Sequence, residues 1–235
     1  MENMFKLGHF FFAVAMAVFG IHLIYGNFEK PAPGPPWTPQ HLPWIYVTAI
    51  VLIAGAVGIA ANKKTRWAAL LVGAVLLLRV LFFYGPKLVA NPHDPGPWTS
   101  GSELLAMCGA ALVLAGITRL GRLLFALPLI VFGVQHFMYA RFVATFVPPW
   151  IPGRLFWAYF VGAAFIAAAV AIMIEKNARL AATLLGLMFL SWVLILHLPR
   201  VAAAPHDGKE WTSAFVALAM SGGAFIIAET FGRTK

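Results

Sequence analysis

Pro92-His93-Asp94, followed by Trp98-Thr99-Ser100, returns as Pro205-His206-Asp207 followed by Trp211-Thr212-Ser213. The spacing inside the two copies is the same, although Pro95-Gly96-Pro97 in one stands where the other has Gly208-Lys209-Glu210. Sliding the chain along itself by the 113 residues between His93 and His206 brings most of it into register. Pro35-Pro36-Trp37 falls on Pro148-Pro149-Trp150, Trp44 on Trp157, Tyr46 on Tyr159, Lys63 on Lys176, Arg66 on Arg179 and Pro86 on Pro199. From Pro35 to Ala111 about 34 of about 77 positions are identical without a gap, which marks an internal duplication. The first unit is residues 1–121 and the second is residues 122–235.

The chain is 61% hydrophobic and only 11% charged, with a mean hydropathy of +0.84. A soluble domain of 235 residues is far less apolar. The apolar segments run close to the length of about twenty residues that spans a bilayer as helix. The net charge of +9 does not indicate nucleic acid. The basic residues sit in short clusters between apolar segments, as orientation signals do. The single cysteine, Cys108, lies in an apolar run, so thiol–disulfide chemistry within the chain is excluded and a packing role remains. The first apolar segment is read as a retained span rather than a signal peptide, because its repeat counterpart lies in mid-chain.

Eight transmembrane helices are predicted. In the first unit they cover Phe5–Tyr25, Leu42–Ala61, Arg66–Val89 (loosened near Gly85-Pro86) and Ser100–Thr118. In the second they cover Leu123–Ala140, Leu155–Ile174, Ala178–Leu198 and Thr212–Thr230. Prolines 31, 33, 35, 36 and 39 exclude helix from the segment Phe28–Pro43. Ser100 and Glu103 have the spacing of a capping box. Lys6, Lys63, Lys64, Arg66, Arg119, Arg122, Lys176, Arg179, Arg233 and Lys235 fall on one side, which the positive-inside rule makes cytoplasmic, together with both termini. Each unit has an even number of spans. The fold is therefore expected to be all-α, two parallel four-helix repeats related by a pseudo-two-fold along the membrane normal.

With that topology His22, His41, His93, His136, His197 and His206 lie at or near the outer face, and only His9 lies toward the inside. Two readings stand side by side: histidine is comfortable in the interfacial layer, or the outer face carries a site. The pairs His93-Asp94 and His206-Asp207 carry the same alternatives. The carboxylates suit helix caps; a histidine held by a carboxylate also suits proton transfer, and these four are the candidate catalytic residues. His22 and His136, near equivalent points of the first and fifth helices but offset by one residue, are the candidates for haem or metal ligation. Arg79 and Glu103 are both missing from the second unit, where Trp192 and Val216 stand, as a paired charge would require. That predicts either a structural ion pair or an anchor for a polar head group, with His22 and Tyr84 nearby. Phe82-Phe83 and the other aromatic residues read as lipid-facing or core.

Phe19-Gly20 and Phe132-Gly133 in the first helix of each unit, the Pro/Trp-rich first outer loop, the short basic turn and the second outer loop together resemble the DoxX-like family. The chain looks like two such units fused. The resemblance covers nearly the whole chain and implies a bacterial inner-membrane protein. It also implies, by analogy, a membrane subunit for quinone-linked redox chemistry, since the family is tied to quinol oxidation and to thiosulfate:quinone oxidoreductase. Quinone is then the expected cofactor, with its head among Arg79, Glu103, His22 and His93. Membrane lipid and other membrane or periplasmic subunits are the expected partners. A non-catalytic scaffold and a carrier of an apolar molecule are the alternatives.

Overall fold

The computed structural model describes residues 2–25 and 42–232, with side chains from Lys6 to Tyr25 and from Pro43 to Gly232. The Pro-rich segment, with His41, lies outside the described residues. The described chain is helical, with no strand. Its helices are α1 (Glu2–Ile24), α2 (Leu42–Ala60), α3 (Thr65–Arg79), α4 (Gly85–Ala90), α5 (Pro95–Leu114), α6 (Thr118–Met138), α7 (Ala140–Ala144), α8 (Arg154–Met173), α9 (Ala178–Trp192), α10 (Leu198–Ala203) and α11 (Gly208–Thr230).

Among the described residues seven segments are long and apolar enough to cross a membrane: α1, α2, α3 through α4, α6, α8, α9 through α10, and α11. This is one fewer than the eight expected. The missing one is α5, whose first turns hold Trp98, Thr99, Ser100 and Glu103 before the apolar run begins. Large apolar side chains such as Phe10, Ile50, Val57, Leu71 and Leu184 stand exposed along the spans, as lipid-facing positions do. The chain is a multi-pass membrane protein.

Several expected boundaries move: α5 ends at Leu114 rather than Thr118, α6 begins at Thr118 rather than Leu123 and so takes in Arg119 and Arg122, and two helices start earlier at aspartate caps. α5 begins at Pro95, and its cap is Asp94, whose carboxylate accepts from the Gly96 N–H at 2.9 Å. Ser100 is therefore inside the helix, and the capping box with Glu103 does not form. Proline is tolerated in a first turn, where its missing N–H has no partner to lose. Likewise α11 begins at Gly208, with Asp207 accepting from the Lys209 N–H at 2.9 Å. The predicted loosening before Pro86 is a π-helical turn over Val80–Tyr84, and a second covers Val193–His197 before Pro199. A proline clashes with the carbonyl four residues back, and the wider turn relieves that clash.

Several details recur at the 113-residue offset. The Trp98 indole donates to the Pro92 carbonyl at 2.9 Å, and Trp211 donates to Pro205 at 2.9 Å. Inside the bundle the Cys108 thiol donates to the Gly73 carbonyl at 3.3 Å, and the Ser221 hydroxyl donates to Gly186 at 2.9 Å.

The last helix of each half packs on the first helix of the other. α5 meets α6 where a Cβ on Gly109 would lie 2.5 Å from the Gly121 carbonyl oxygen. α11 meets α1 where a Cβ on Gly222 would lie 2.7 Å from the Gly8 carbonyl oxygen. Only glycine allows backbones this close. At the basic end Arg122 ties the end of α11 down. It donates to the Thr230 hydroxyl at 2.9 Å and carbonyl at 3.0 Å, pairs with Glu175 at 2.9 Å and lies 3.7 Å from the Phe231 ring centroid.

Candidate functional site

The end of the bundle that carries the two His-Asp loops holds a half-open cavity of about 1510 Å³. It is larger than the roughly 300–1,000 Å³ of an ordinary small-molecule site. Both halves line it, largely through residues at matching positions. Phe19 answers Phe132, Leu52 answers Phe165, and Leu76 answers Phe189. Thr99 answers Thr212, and Met107 answers Met220.

The frame is shared, but the chemistry diverges. Arg79, Tyr84 and Glu103 of the first half face the cavity where the second half presents Trp192, His197 and Val216. The second half builds an aromatic wall. Phe165 lies 5.7 Å from Phe132, 5.6 Å from Phe189 and 5.8 Å from Trp192, and Phe189 lies 5.3 Å from Trp192. Edge-to-face and tilted packing at these distances fixes the rings and leaves a rigid apolar surface.

The expected site residues separate into two groups. Arg79, Tyr84, Asp94, Glu103 and His136 line the cavity. His93, His206 and Asp207 lie on the exposed loops outside it, and Asp94 and Asp207 serve as helix caps. His22 does not line the cavity. The residue equivalent to His136 is Leu23, because a one-residue offset turns a side chain by about 100° on a helix. His136 Nδ1 sits 2.8 Å from the Phe132 carbonyl oxygen, and the ring meets Phe165 edge-on at 5.2 Å. Among the described residues no group of three or more His, Cys, Asp or Glu is placed to hold a metal.

The expected Arg79–Glu103 ion pair is not formed. Both side chains face the same cavity, but no Arg79–Glu103 pair within 4.0 Å exists among the described residues. The Arg79 guanidinium turns instead toward the Phe83 ring, 5.6 Å from its centroid, and is engaged in a further interaction.

The sequence reading missed a second polar group. Arg200 Nη2 meets Glu210 Oε1 at 2.6 Å. The other carboxylate oxygen, Glu210 Oε2, is buried without a hydrogen-bond partner, and so is His197 Nδ1. His197 and Arg200 line the cavity. These three stand where the first half has Tyr84, Lys87 and Pro97. Only Glu210 shows the signal that singled out Arg79 and Glu103, a charged residue present in one repeat and absent from the other; His197 and Arg200 stand on polar counterparts and give no such signal.

A family model described as a domain of unknown function (DUF8561) matches residues 125–220, which lie in the second half. No curated protein and no solved structure matches the chain.

Proposed function

We propose that this chain is a DoxX-like bacterial inner-membrane protein that holds one lipophilic molecule with a polar head, of the isoprenoid quinone class. It serves as the membrane subunit of a quinone-linked redox system. In this reading α5 is the eighth span, the halves are related by a pseudo-two-fold along the membrane normal, and both termini are cytoplasmic. The cavity then opens at the outer end of the bundle.

The observation that carries the reading is a single cavity lined both by polar groups, among them Arg79, Glu103 and His136, and by a wall of packed rings from the second half. A planar head lies against Phe165 and Trp192, its polar edge turns to Arg79 and Glu103, and an isoprenoid chain fills the remaining apolar volume. Arg79 supplies a donor for a carbonyl oxygen, and Glu103 and His136 supply acceptors for a hydroxyl proton.

The test is mass spectrometry of the organic extract from protein purified in mild detergent, with empty membranes as the control. The reading expects quinone near one per chain, lost on Glu103→Leu or Arg79→Met. An extract of bulk phospholipid alone overturns it and favours the scaffold alternative, in which the exposed aromatic residues at the cavity end, Trp98, Phe142 and Trp150, dock a periplasmic or membrane subunit.

A further inference from the structure

The charged side chains that line the cavity divide unevenly between its halves. Asp94 and Glu103, the lining carboxylates, both come from the first half, where they share the wall with Arg79. The second half lines the cavity with Arg200 and Lys209 and, among the described residues, with no carboxylate. Glu210 holds Arg200 from behind and does not line the space.

Both cations keep donors in hand. Arg200 gives Glu210 one hydrogen bond, at 2.6 Å, and its guanidinium lies 5.0 Å from the Phe146 ring centroid. Most of the N–H groups of the guanidinium stay unused. Lys209 gives its backbone N–H to Asp207, but its exposed ammonium has no partner among the described residues. Lys209 is the chain neighbour of the glutamate that holds Arg200, so the two cations stand on one rim of the cavity. The first half has nothing equivalent. Lys87, the counterpart of Arg200, lies 3.6 Å from the Phe83 ring centroid and does not line the cavity, and the counterpart of Lys209 is Gly96.

We infer that Arg200 and Lys209 form a second binding position in the cavity, for a phosphate group carried on a membrane lipid or free in solution. It is separate from the groups around Arg79 and Glu103, and it does not require quinone to be the other occupant. A guanidinium fork on α10 and an ammonium on α11 suit a tetrahedral oxyanion, which offers oxygens to both. With Glu210 set against Arg200, the rim keeps one net positive charge, which a phosphodiester balances. Phe146, Ile195 and Leu196 also line the cavity and offer acyl chains an apolar surface. Basic pockets between membrane helices take lipid heads in this way.

The experiment measures equilibrium binding of three radiolabelled probes to the full chain in mild non-ionic detergent, with protein-free micelles subtracted. The probes are dioleoylphosphatidylglycerol, dioleoylglycerol (the same chains without the phosphate) and orthophosphate. The phosphate-bearing lipid is expected to bind at least about tenfold more tightly than dioleoylglycerol. Lys209→Gln should weaken it about threefold or more, and Arg200→Gln further, with dioleoylglycerol unaffected. Lys87→Gln removes the same charge outside the cavity and should change nothing. A lipid preference that depends on Lys209 assigns the position to a lipid head; orthophosphate binding that depends on Lys209, without a lipid preference, assigns it to the free ion. Neither effect, or an effect that Lys87→Gln lowers as much as Lys209→Gln does, overturns the inference. The Lys209 ammonium has no partner to lose, so Lys209→Gln keeps the test decisive if Arg200→Gln fails to fold. Quinone is assayed in the same samples: its absence where the lipid preference persists removes quinone from the cavity and leaves this position standing.

Discussion

Arg200 and Glu210 meet at 2.6 Å beside the first turn of the last helix, in the two places that Lys87 and Pro97 occupy in the first half. There the cation takes a different partner: Lys87 Nζ lies 3.6 Å from the Phe83 ring centroid. The second half thus carries a carboxylate that the first half never had, and only one of its oxygens is satisfied.

Arg200→Met therefore leaves Glu210 without its cation. Both side chains are largely but not fully buried, at 35% and 17% exposed, so the expected cost is about 1–3 kcal/mol, below the full penalty for a buried pair. Combining it with Glu210→Leu should recover most of that loss. Thermal unfolding in one detergent measures both. A double variant as damaged as the sum of the singles shows that the pair contributes nothing.

Asp94→Ala and Asp207→Ala remove helix caps and should each cost about 1 kcal/mol, with His206→Ala close to neutral. Ligand retained in the organic extract should not change for His93→Ala, His206→Ala or Asp207→Ala. Loss of ligand in any of the three returns the exposed loops to the site.

Gly109→Ala places a Cβ 2.5 Å from the Gly121 carbonyl oxygen and from the Phe125 nitrogen, neither of which can swing aside. A loss of about 2 kcal/mol or more is expected. Gly85→Ala, whose nearest contact is 3.5 Å away, should be tolerated. Similar unfolding temperatures for the two variants contradict the close packing.

Arg122→Ala frees the end of α11 at Thr230 and Phe231, and Glu175, from the guanidinium that holds them, at a cost of about 2 kcal/mol. Arg122→Lys should restore little, since an ammonium cannot reproduce the planar fork. Limited proteolysis near Phe231 should quicken in both variants. A lysine variant as resistant as wild type counts against the clamp.

Orientation is open to a labelling test in a Cys108→Ser background. That change should be well tolerated, because Ser221 makes the equivalent bond to Gly186. Cysteines placed at His93 and His206 should react with an impermeant thiol reagent in intact cells, and cysteines at Lys63 and Lys176 should not. The reverse pattern inverts the topology.

The duplication is a property of the sequence itself, and seven of the eight apolar spans and the two aspartate caps were legible in it, since each depends on local residue types: Asp before a helix, Pro after a weakened turn, glycine at a crossing. Ser100 and Glu103 misled because a capping-box spacing says nothing about a better cap upstream, and Asp94 takes that role. The cavity was only half legible. Its charged wall shows as Arg79 and Glu103 missing from the second copy. The aromatic wall is drawn from α6, α8 and α9, and Phe165 or Phe189 alone reads as ordinary membrane core. Nor can sequence show that an arginine and a glutamate facing one space decline to pair.

The contact of α5 with α6 and that of α11 with α1 are built alike, but the chain runs through only the first, by way of the turn at Gly116. Covalent order is therefore incidental to the arrangement of helices. A circular permutant opened at Gly116, with the end of α11 joined to the start of α1, would hold the same walls around the same cavity. The second half would then be made first.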